Sequence, residues 1–150
     1  MDTPLSIWYC DHCGKPISEA RTGYIIWRSD GKKSHDFRII HQNICDNKSF
    51  GASMHLSHFL GVDGMTRLLA FFSAGKLRAD NAKDINRSAI DETDNFVDLI
   101  RRLQIPYYEE ARRYFGCSEV WDDFYDAGED TPYTPESLKR IIETGKNSSE

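Results

Sequence analysis

Two short pairs of metal-binding residue types lie in the first third of the sequence. Cys10 and Cys13 form a C-x-x-C pair, and His41 and Cys45 form an H-x-x-x-C pair. Thiolate sulfur and imidazole nitrogen are the ligands that zinc takes in structural sites, where four of them form a tetrahedron. Gly14 follows the first pair and allows a tight turn there. The sequence therefore predicts one structural zinc ion per chain, held by these four side chains.

A β-hairpin is needed to bring the two pairs together. Two runs of β-branched and aromatic residues, at 24–28 and 37–41, are typical of strands. The segment 29–34 between them contains Asp-Gly, a pair that favours a tight turn. The first ligand pair precedes this hairpin and the second pair follows it. Pairing of the strands is therefore expected to bring the four ligands close together.

The N-terminal part resembles the treble-clef group of zinc fingers and, more loosely, the first half of a LIM domain. The string Cys-Asp-His-Cys-Gly-Lys-Pro-Ile at 10–17 is similar to a LIM opening. The resemblance covers about residues 8–60, and it implies a zinc knuckle, a hairpin and a helix that share one metal. The chain departs from the LIM pattern in its longer gap between Cys13 and His41, in its H-x-x-x-C spacing, and in lacking a second ligand set.

Other cysteine and histidine residues do not complete a second site. His55 and His58 are three residues apart on a predicted short helix, without a cysteine or carboxylate to join them, and we interpret them as surface or packing residues. We interpret Cys117 as a partly buried free thiol. Two alternatives for the C-x-x-C pair stay open, namely ordinary buried cysteines and a redox pair, although no βαβ pattern surrounds it.

Helical periodicity dominates the rest of the chain. Apolar residues recur three and four positions apart, between capping residues and glycines. We interpret 76–93 as an exposed connector or a weak helix. The predicted helices begin at Ser53, Asp63, Asp94, Pro106, Ser118 and Thr134, and they end near Gly61, Gly75, Leu103, Gly116, Phe124 and Gly145.

These elements predict an α+β protein, in which a small zinc-binding hairpin module packs with several short α-helices. The module is expected to occupy residues 1–60 and the helical part residues 61–146, followed by a polar tail at 147–150. Because no long flexible linker separates the two parts, we expect them to form one compact unit.

Composition and charge exclude several classes of protein. The chain has 150 residues, a net charge of −5 and 39% hydrophobic residues, which is typical of a globular domain. No apolar run approaches the roughly 20 residues that cross a bilayer, so we expect no membrane association. The start lacks a basic segment followed by an apolar one, and four cysteines without such a signal suggest a reducing compartment. We therefore expect a cytoplasmic protein.

A candidate partner-binding surface lies in the acidic segment 119–130, which contains six acidic residues, three aromatic residues and no basic residue. Exposed aromatic rings can anchor a protein partner, while carboxylates attract a basic one or imitate nucleic-acid phosphates. The competing interpretation is a solvated helix and loop whose aromatic rings fill the core. The predicted surface residues are Trp121, Asp122, Asp123, Phe124 and Tyr125.

These features favour a small intracellular binding or adaptor protein with a regulatory role, not an enzyme. No nucleophile elbow, phosphate-binding loop or H-E-x-x-H motif is present. The first alternative is a nucleic-acid-binding regulator that uses basic residues near the hairpin, namely Lys15, Arg28, Lys32, Lys33 and Arg38. A further basic group, Arg101, Arg102, Arg112 and Arg113, flanks Tyr107, Tyr108 and Tyr114, but Glu109 and Glu110 can pair with Arg112 and Arg113 at helical spacing. The third hypothesis is a ββα-metal nuclease built on His35, Asp36, His41 and Asn43.

Overall fold

The computed structural model describes residues 4–30, 33–73 and 89–148, and these contain six β-strands, five α-helices and four short 3₁₀ helices. This confirms the predicted α+β class. The strands are β1 (Trp8–Tyr9), β2 (Pro16–Ile17), β3 (Gly23–Asp30), β4 (Lys33–His41), β5 (Gly51–His55) and β6 (Ala89–Ile90). The α-helices are α1 (Gly61–Phe72), α2 (Thr93–Gln104), α3 (Tyr108–Arg112), α4 (Ser118–Phe124) and α5 (Pro135–Ser148).

The hairpin of β3 and β4 is the centre of a four-stranded sheet with the order β5-β3-β4-β6. Both predicted strands are confirmed and both extend beyond their predicted bounds. Ile25 pairs with Ile39 in the antiparallel register, and both side chains are fully buried. β5 pairs antiparallel with β3, and β6 pairs parallel with β4. The tip residues Gly31 and Lys32 lie outside the described residues.

The predicted helix beginning at Ser53 is wrong. Ser53 lies in β5, where it pairs with Ile26 of β3. Ala52 and Met54 are partly buried while their neighbours are exposed, an alternation that suits a strand with one face on the core. Gly51 has a φ of 88°, a left-handed conformation that turns the chain into the strand. A short 3₁₀ turn follows at Leu56–Phe59.

Several helix boundaries also differ from their predicted positions. α1 begins at Gly61 rather than Asp63, and its predicted end at Gly75 lies outside the described residues. Most of the predicted connector 76–93 also lies outside the described residues. The part that is described, 89–93, contains β6 and leads into α2. α3 begins at Tyr108, because Tyr107 adopts a left-handed backbone conformation directly before it, and it ends at Arg112 rather than near Gly116.

Gly145 does not end the last helix. α5 continues to Ser148, so the predicted polar tail is helical at 147 and 148. A Cβ atom at Gly145 would lie 2.2 Å from Cγ of Tyr114. The glycine therefore marks a close approach between α5 and the segment after α3, not a helix terminus.

Buried apolar side chains form two clusters. The first joins the sheet to α1 and α2, because Leu68, Leu99 and Leu103 pack with the strand residues. The second lies among α3, α4 and α5. None of the helices in the described ranges is long and apolar enough to cross a membrane.

We predict that Gly145→Ala lowers the free energy of unfolding. The new methyl group would overlap the Tyr114 side chain, and overpacking of this kind costs about 1–3 kcal/mol. Alanine gains about 1 kcal/mol of helix propensity, so we expect a net loss of about 1 kcal/mol in urea denaturation. Gly116→Ala is the control for the added methyl group alone, because residue 116 lies in a turn and no atom lies within 4 Å of its added Cβ. A stabilised Gly145→Ala protein would contradict the close packing.

Candidate metal centre

The four predicted ligands lie together in the structure. The sulfur atoms of Cys10, Cys13 and Cys45 and one ring nitrogen of His41 all lie within 4.8 Å of one another. The Nδ1 atom of His41 is 3.4 Å from the sulfur of Cys13 and 3.8 Å from that of Cys45. Zinc bond lengths in a tetrahedron imply ligand separations of about 3.5–3.8 Å. This group of side chains could therefore bind a metal ion.

Cys10 and Cys13 lie in the turn between β1 and β2. The amide of Gly14 donates to the carbonyl of Cys10 at 2.9 Å, and the amide of Cys10 donates to the carbonyl of Lys15 at 3.0 Å. Gly14 has a φ of 77°, which a residue with a side chain rarely adopts. The C-x-x-C-Gly spacing thus folds into a compact knuckle that points both sulfur atoms to one side.

His41 and Cys45 come from the end of β4 and the turn that follows it. His41 is the last residue of the strand and pairs with Gly23 of β3. The chain then reverses through Asn43, whose φ is 68°, and the amide of Ile44 donates to the carbonyl of Gln42 at 2.8 Å. The turn directs the Cys45 sulfur back toward the imidazole. The hairpin therefore delivers the second ligand pair, as the sequence predicts.

A hydrogen bond fixes which nitrogen of His41 faces the cysteines. The Nε2 atom lies 3.0 Å from the carbonyl oxygen of Pro16 in β2. A carbonyl oxygen can only accept, so Nε2 carries the proton and Nδ1 presents its lone pair to the sulfur atoms. Such a second partner orients an imidazole for metal binding. The carbonyl of Pro16 in β2 thus orients His41, which belongs to the hairpin of β3 and β4.

The surroundings of Cys10 and Cys45 shift the pKa values of their thiols in opposite directions. Burial by itself raises the pKa of Cys10. Hydrogen bonds from amide N–H groups have the larger, opposite effect, and the pKa falls to about 7. The amides of His12 and His41 both donate to this sulfur at 3.4 Å. Burial and the neighbouring thiols Cys10 and Cys13 raise the pKa of Cys45 to about 11. Three adjacent thiolates repel one another, and a bound cation would remove that repulsion.

Asp11, inside the knuckle, connects the ligand turn to the rest of the fold. Its amide donates to the carbonyl of Ile39 at 2.8 Å, and its carboxylate accepts the Ile39 amide at 2.8 Å. The same carboxylate oxygen accepts from Nη1 of Arg102 in α2 at 2.7 Å. No local sequence pattern indicates this role, because the partners lie far away along the chain.

Arg102 is a buried cation with several partners. Its guanidinium is 2% exposed and makes two 2.7 Å hydrogen bonds to the carboxylate of Glu109. It also donates to the carbonyl of Tyr9 at 3.1 Å, and the indole N–H of Trp8 donates to the Arg102 carbonyl at 3.2 Å. Burial alone would lower the pKa of Arg102, but Glu109 and Asp11 raise it above its ordinary value. The side chain therefore remains charged.

The predicted pairing of Glu109 with Arg112 or Arg113 is wrong. Glu109 binds Arg102 instead, across the connection between α2 and α3. Arg112 pairs with Asp98 at 2.8 Å. Arg113 lies over the ring of Tyr9, with 3.9 Å from its guanidinium carbon to the ring centroid. Arg102, Arg112 and Arg113 therefore each have a different partner and do not form one basic patch.

The hairpin arginines are also paired. Asp36 accepts from Nε of Arg28 at 3.1 Å and from Nε of Arg38 at 2.9 Å. Burial raises the pKa of Asp36, but the two arginines outweigh it and lower the pKa below its ordinary value. Both guanidinium groups also lie over the ring of Phe50. Lys15 and Lys33 are exposed, whereas Lys32 lies outside the described residues.

Residues considered for a nuclease site are not brought together. His35 pairs with Arg28 in the hairpin register, whereas His41 pairs with Gly23. Their pairing partners are five residues apart on β3, so the two histidines lie roughly 17 Å apart. His35 lies 2.7 Å from a carboxylate oxygen of Asp30.

The other candidate ligands lie outside the cluster of four. His55 packs edge-on against Tyr24, and His58 against Phe59. Cys117 is a partly buried free thiol, as predicted, and it donates to the carboxylate of Glu119 at 2.9 Å.

The acidic segment exposes aromatic rings. Trp121 is 67% exposed and Tyr125 is 88% exposed, whereas Phe124 is half-buried. Asp122 and Asp123 are exposed. The interpretation in which Trp121 fills the core is therefore wrong. Val120 supplies the buried side chain of this helix instead.

Comparison with known proteins gives no relatives. No protein-family model matches the chain, and no match is found among curated proteins or among solved structures. The metal assignment therefore depends on the ligand positions and their hydrogen bonds.

We predict that Asp11→Asn destabilises the protein while the metal ligands stay intact. The change leaves Arg102 with less compensating charge, and breaking a pair to a buried ion is costly. Because Asp11 is partly exposed, we expect a loss of about 2 kcal/mol in denaturant unfolding. Metal content, measured by elemental analysis, should not change. His12→Gln, at an exposed position of the same knuckle, is the control. An unfolding midpoint equal to that of the control would contradict the role of Asp11.

Proposed function

We propose that this protein is a small zinc-stabilised binding protein whose metal is structural. The observation that carries the proposal is the ligand group itself, three sulfur atoms and one oriented imidazole nitrogen within 4.8 Å. Soft thiolate and imidazole donors in a tetrahedron suit zinc. We infer one zinc ion per chain, held by Cys10, Cys13, His41 and Cys45.

A structural role fits the composition of the ligand set better than a catalytic one. Four protein ligands leave no coordination position for a water molecule, and three thiolates reduce the Lewis acidity of the metal. Cys10 and Cys45 are buried, and Cys13 is exposed. Metal binding of this kind contributes on the order of 10 kcal/mol of apparent binding free energy to folding.

The knuckle and the hairpin support the proposed resemblance to treble-clef zinc fingers. β1 and β2 carry the knuckle, and β3 and β4 form the hairpin. In place of the helix that the resemblance implies, the second ligand pair is followed by a 3₁₀ turn and β5. We propose a treble-clef-like module in which a third strand takes the place of that helix.

We infer that the protein acts through contacts with a protein partner, as an adaptor or regulator. The exposed rings of Trp121 and Tyr125 within an acidic segment support this function, because exposed aromatic side chains are common anchors at interfaces. The nucleic-acid alternative has less support, since Arg28 and Arg38 are paired with Asp36. Reduced thiolates are needed to hold the metal, which favours a reducing compartment such as the cytoplasm.

We predict that purified protein contains one zinc ion per chain and that Cys45→Ser releases it. The variant should lose the folded N-terminal module and keep part of its helical circular dichroism signal, because the helices after residue 105 pack in their own cluster. Cys117→Ser is the matched control, since Cys117 lies outside the ligand group. Elemental analysis and thermal unfolding measure both effects. Protein without metal, or equal damage from the two variants, would contradict a structural zinc site.

We predict that Asp122→Lys combined with Asp123→Lys weakens capture of the native partner without changing the melting temperature. Both carboxylates are exposed, so their loss removes steering and complementarity and leaves the core intact. Partner recovery from the native host, compared between wild type and variant, measures the effect. Asp63→Lys combined with Glu143→Lys gives the same change in net charge at other exposed positions. Equal recovery by all three proteins would exclude this surface.

A further inference from the structure

We propose that a groove in the acidic segment binds a basic polypeptide segment that inserts one large apolar side chain. The inference rests on the proposed binding function and specifies the chemistry of the partner. Three features of the groove support it, namely its size and lining, the fixed position of Trp121, and the charge around it.

The groove lies between α4, the 3₁₀ turn Thr131–Tyr133 and α5. Its volume is about 390 Å³. The rings of Trp121, Phe124 and Tyr133 line it, together with the buried side chains of Val120 and Ile141. A cavity of about 150 Å³ is large enough for benzene, so this groove has room for a leucine or an aromatic side chain. Its size also lies in the range of protein ligand pockets, roughly 300–1,000 Å³.

Trp121 is exposed and yet held in place. Its indole N–H donates to the carbonyl of Phe115 at 2.6 Å, while 67% of the residue remains accessible to water. A hydrogen bond to the backbone restricts the ring before any partner arrives, which reduces the entropy lost on binding. The exposed apolar face of the ring can then be buried by a partner, with a gain in free energy.

Negative charge surrounds this apolar surface. All six acidic residues of segment 119–130 are exposed, and the segment contains no basic residue. Two guanidinium groups lie against rings that line the groove, Arg140 at 5.2 Å from the centroid of Phe124 and Arg101 at 4.3 Å from that of Tyr133, and they offset two of these six charges. The remaining carboxylates attract lysine and arginine side chains and repel phosphate groups.

Charge complementarity selects a basic segment over other occupants. A second copy of this chain carries a net charge of −5, and nucleic acid is also negative, so both would be repelled by the rim. A basic segment with a single large apolar side chain satisfies the carboxylates and fills the groove at once. The apolar side chain supplies affinity, and the flanking charges supply selectivity.

The experiment uses three synthetic peptides and the fluorescence of Trp121. Trp8 and Trp27 are 1% and 3% exposed, so a soluble quencher reaches Trp121 far more readily. One peptide has a central leucine flanked by lysines, the second replaces the leucine by glycine, and the third replaces the lysines by glutamates. We expect the leucine–lysine peptide to shield Trp121 and to bind about tenfold more tightly than the glycine peptide, as burial of a leucine side chain predicts.

Variants separate the contributions of charge and shape. Asp122→Lys combined with Asp123→Lys should weaken the leucine–lysine peptide about tenfold at low salt, and added salt should reduce this difference. Tyr125→Ala should also weaken it. Val62→Ala is the matched control, because Val62 is 85% exposed on α1, away from the groove. Val62→Ala should leave the affinity unchanged.

Four results would overturn the inference. Equal affinity of the leucine and glycine peptides would exclude an apolar anchor, and equal affinity of the glutamate peptide would exclude charge selection. Shielding of Trp121 that rises with protein concentration alone would identify a second copy as the occupant. Recovery of a native partner that is lost in the aspartate double variant, yet displaced by none of the peptides, would support the proposed function and overturn the basic, apolar-anchored chemistry of the partner.

Discussion

The buried guanidinium of Arg102 imposes a constraint on which much of the fold depends. A buried cation is tolerated when charged and polar partners surround it. Those partners come from three segments, since Asp11 lies in the knuckle, Tyr9 in β1 and Glu109 in α3. All three segments must therefore be in place around α2 at once. Removing one partner leaves charge uncompensated, and this includes Arg102 itself, because the Glu109 carboxylate is 2% exposed and would be buried without its cation.

Two of the candidate metal ligands and the ion-pair network share one turn. Cys10 and Cys13 bracket Asp11, so a metal that fixes the two sulfur atoms also fixes the direction of the carboxylate between them. The hydrogen bonds of Asp11 with Ile39 fasten this turn to β4, whose last residue is the ligand His41. The ligand geometry and the packing of α2 against the N-terminal part are therefore mechanically linked. Asp11 therefore connects the two, although it is not itself one of the four grouped side chains.

Sequence reasoning succeeded where the signal was local. The C-x-x-C spacing, the β-branched runs and the helix start at Ser118 each depend on neighbours along the chain, and the ligand group, the hairpin and α4 agree with them. Prediction from the sequence failed where a residue far away along the chain determines the local structure. Ser53 lies in a strand because β3 offers it an edge, and Gly145 is needed because Tyr114 approaches it. Arg102 left a readable signal, a basic residue between the apolar positions Leu99 and Leu103 of a helix.

The order of the contacting residues along the chain has a consequence for synthesis on the ribosome. The four grouped side chains all precede residue 46, so a metal ion could bind to them while the helices are still being made. The indole of Trp8 and the carboxylate of Asp11 cannot form their hydrogen bonds with Arg102 until it is made, 94 and 91 residues later. At about 5–20 residues per second, that interval lasts roughly 5–20 s. During it, the Trp8 indole and the Asp11 carboxylate lack Arg102, so α2 can dock on the N-terminal part only late in synthesis.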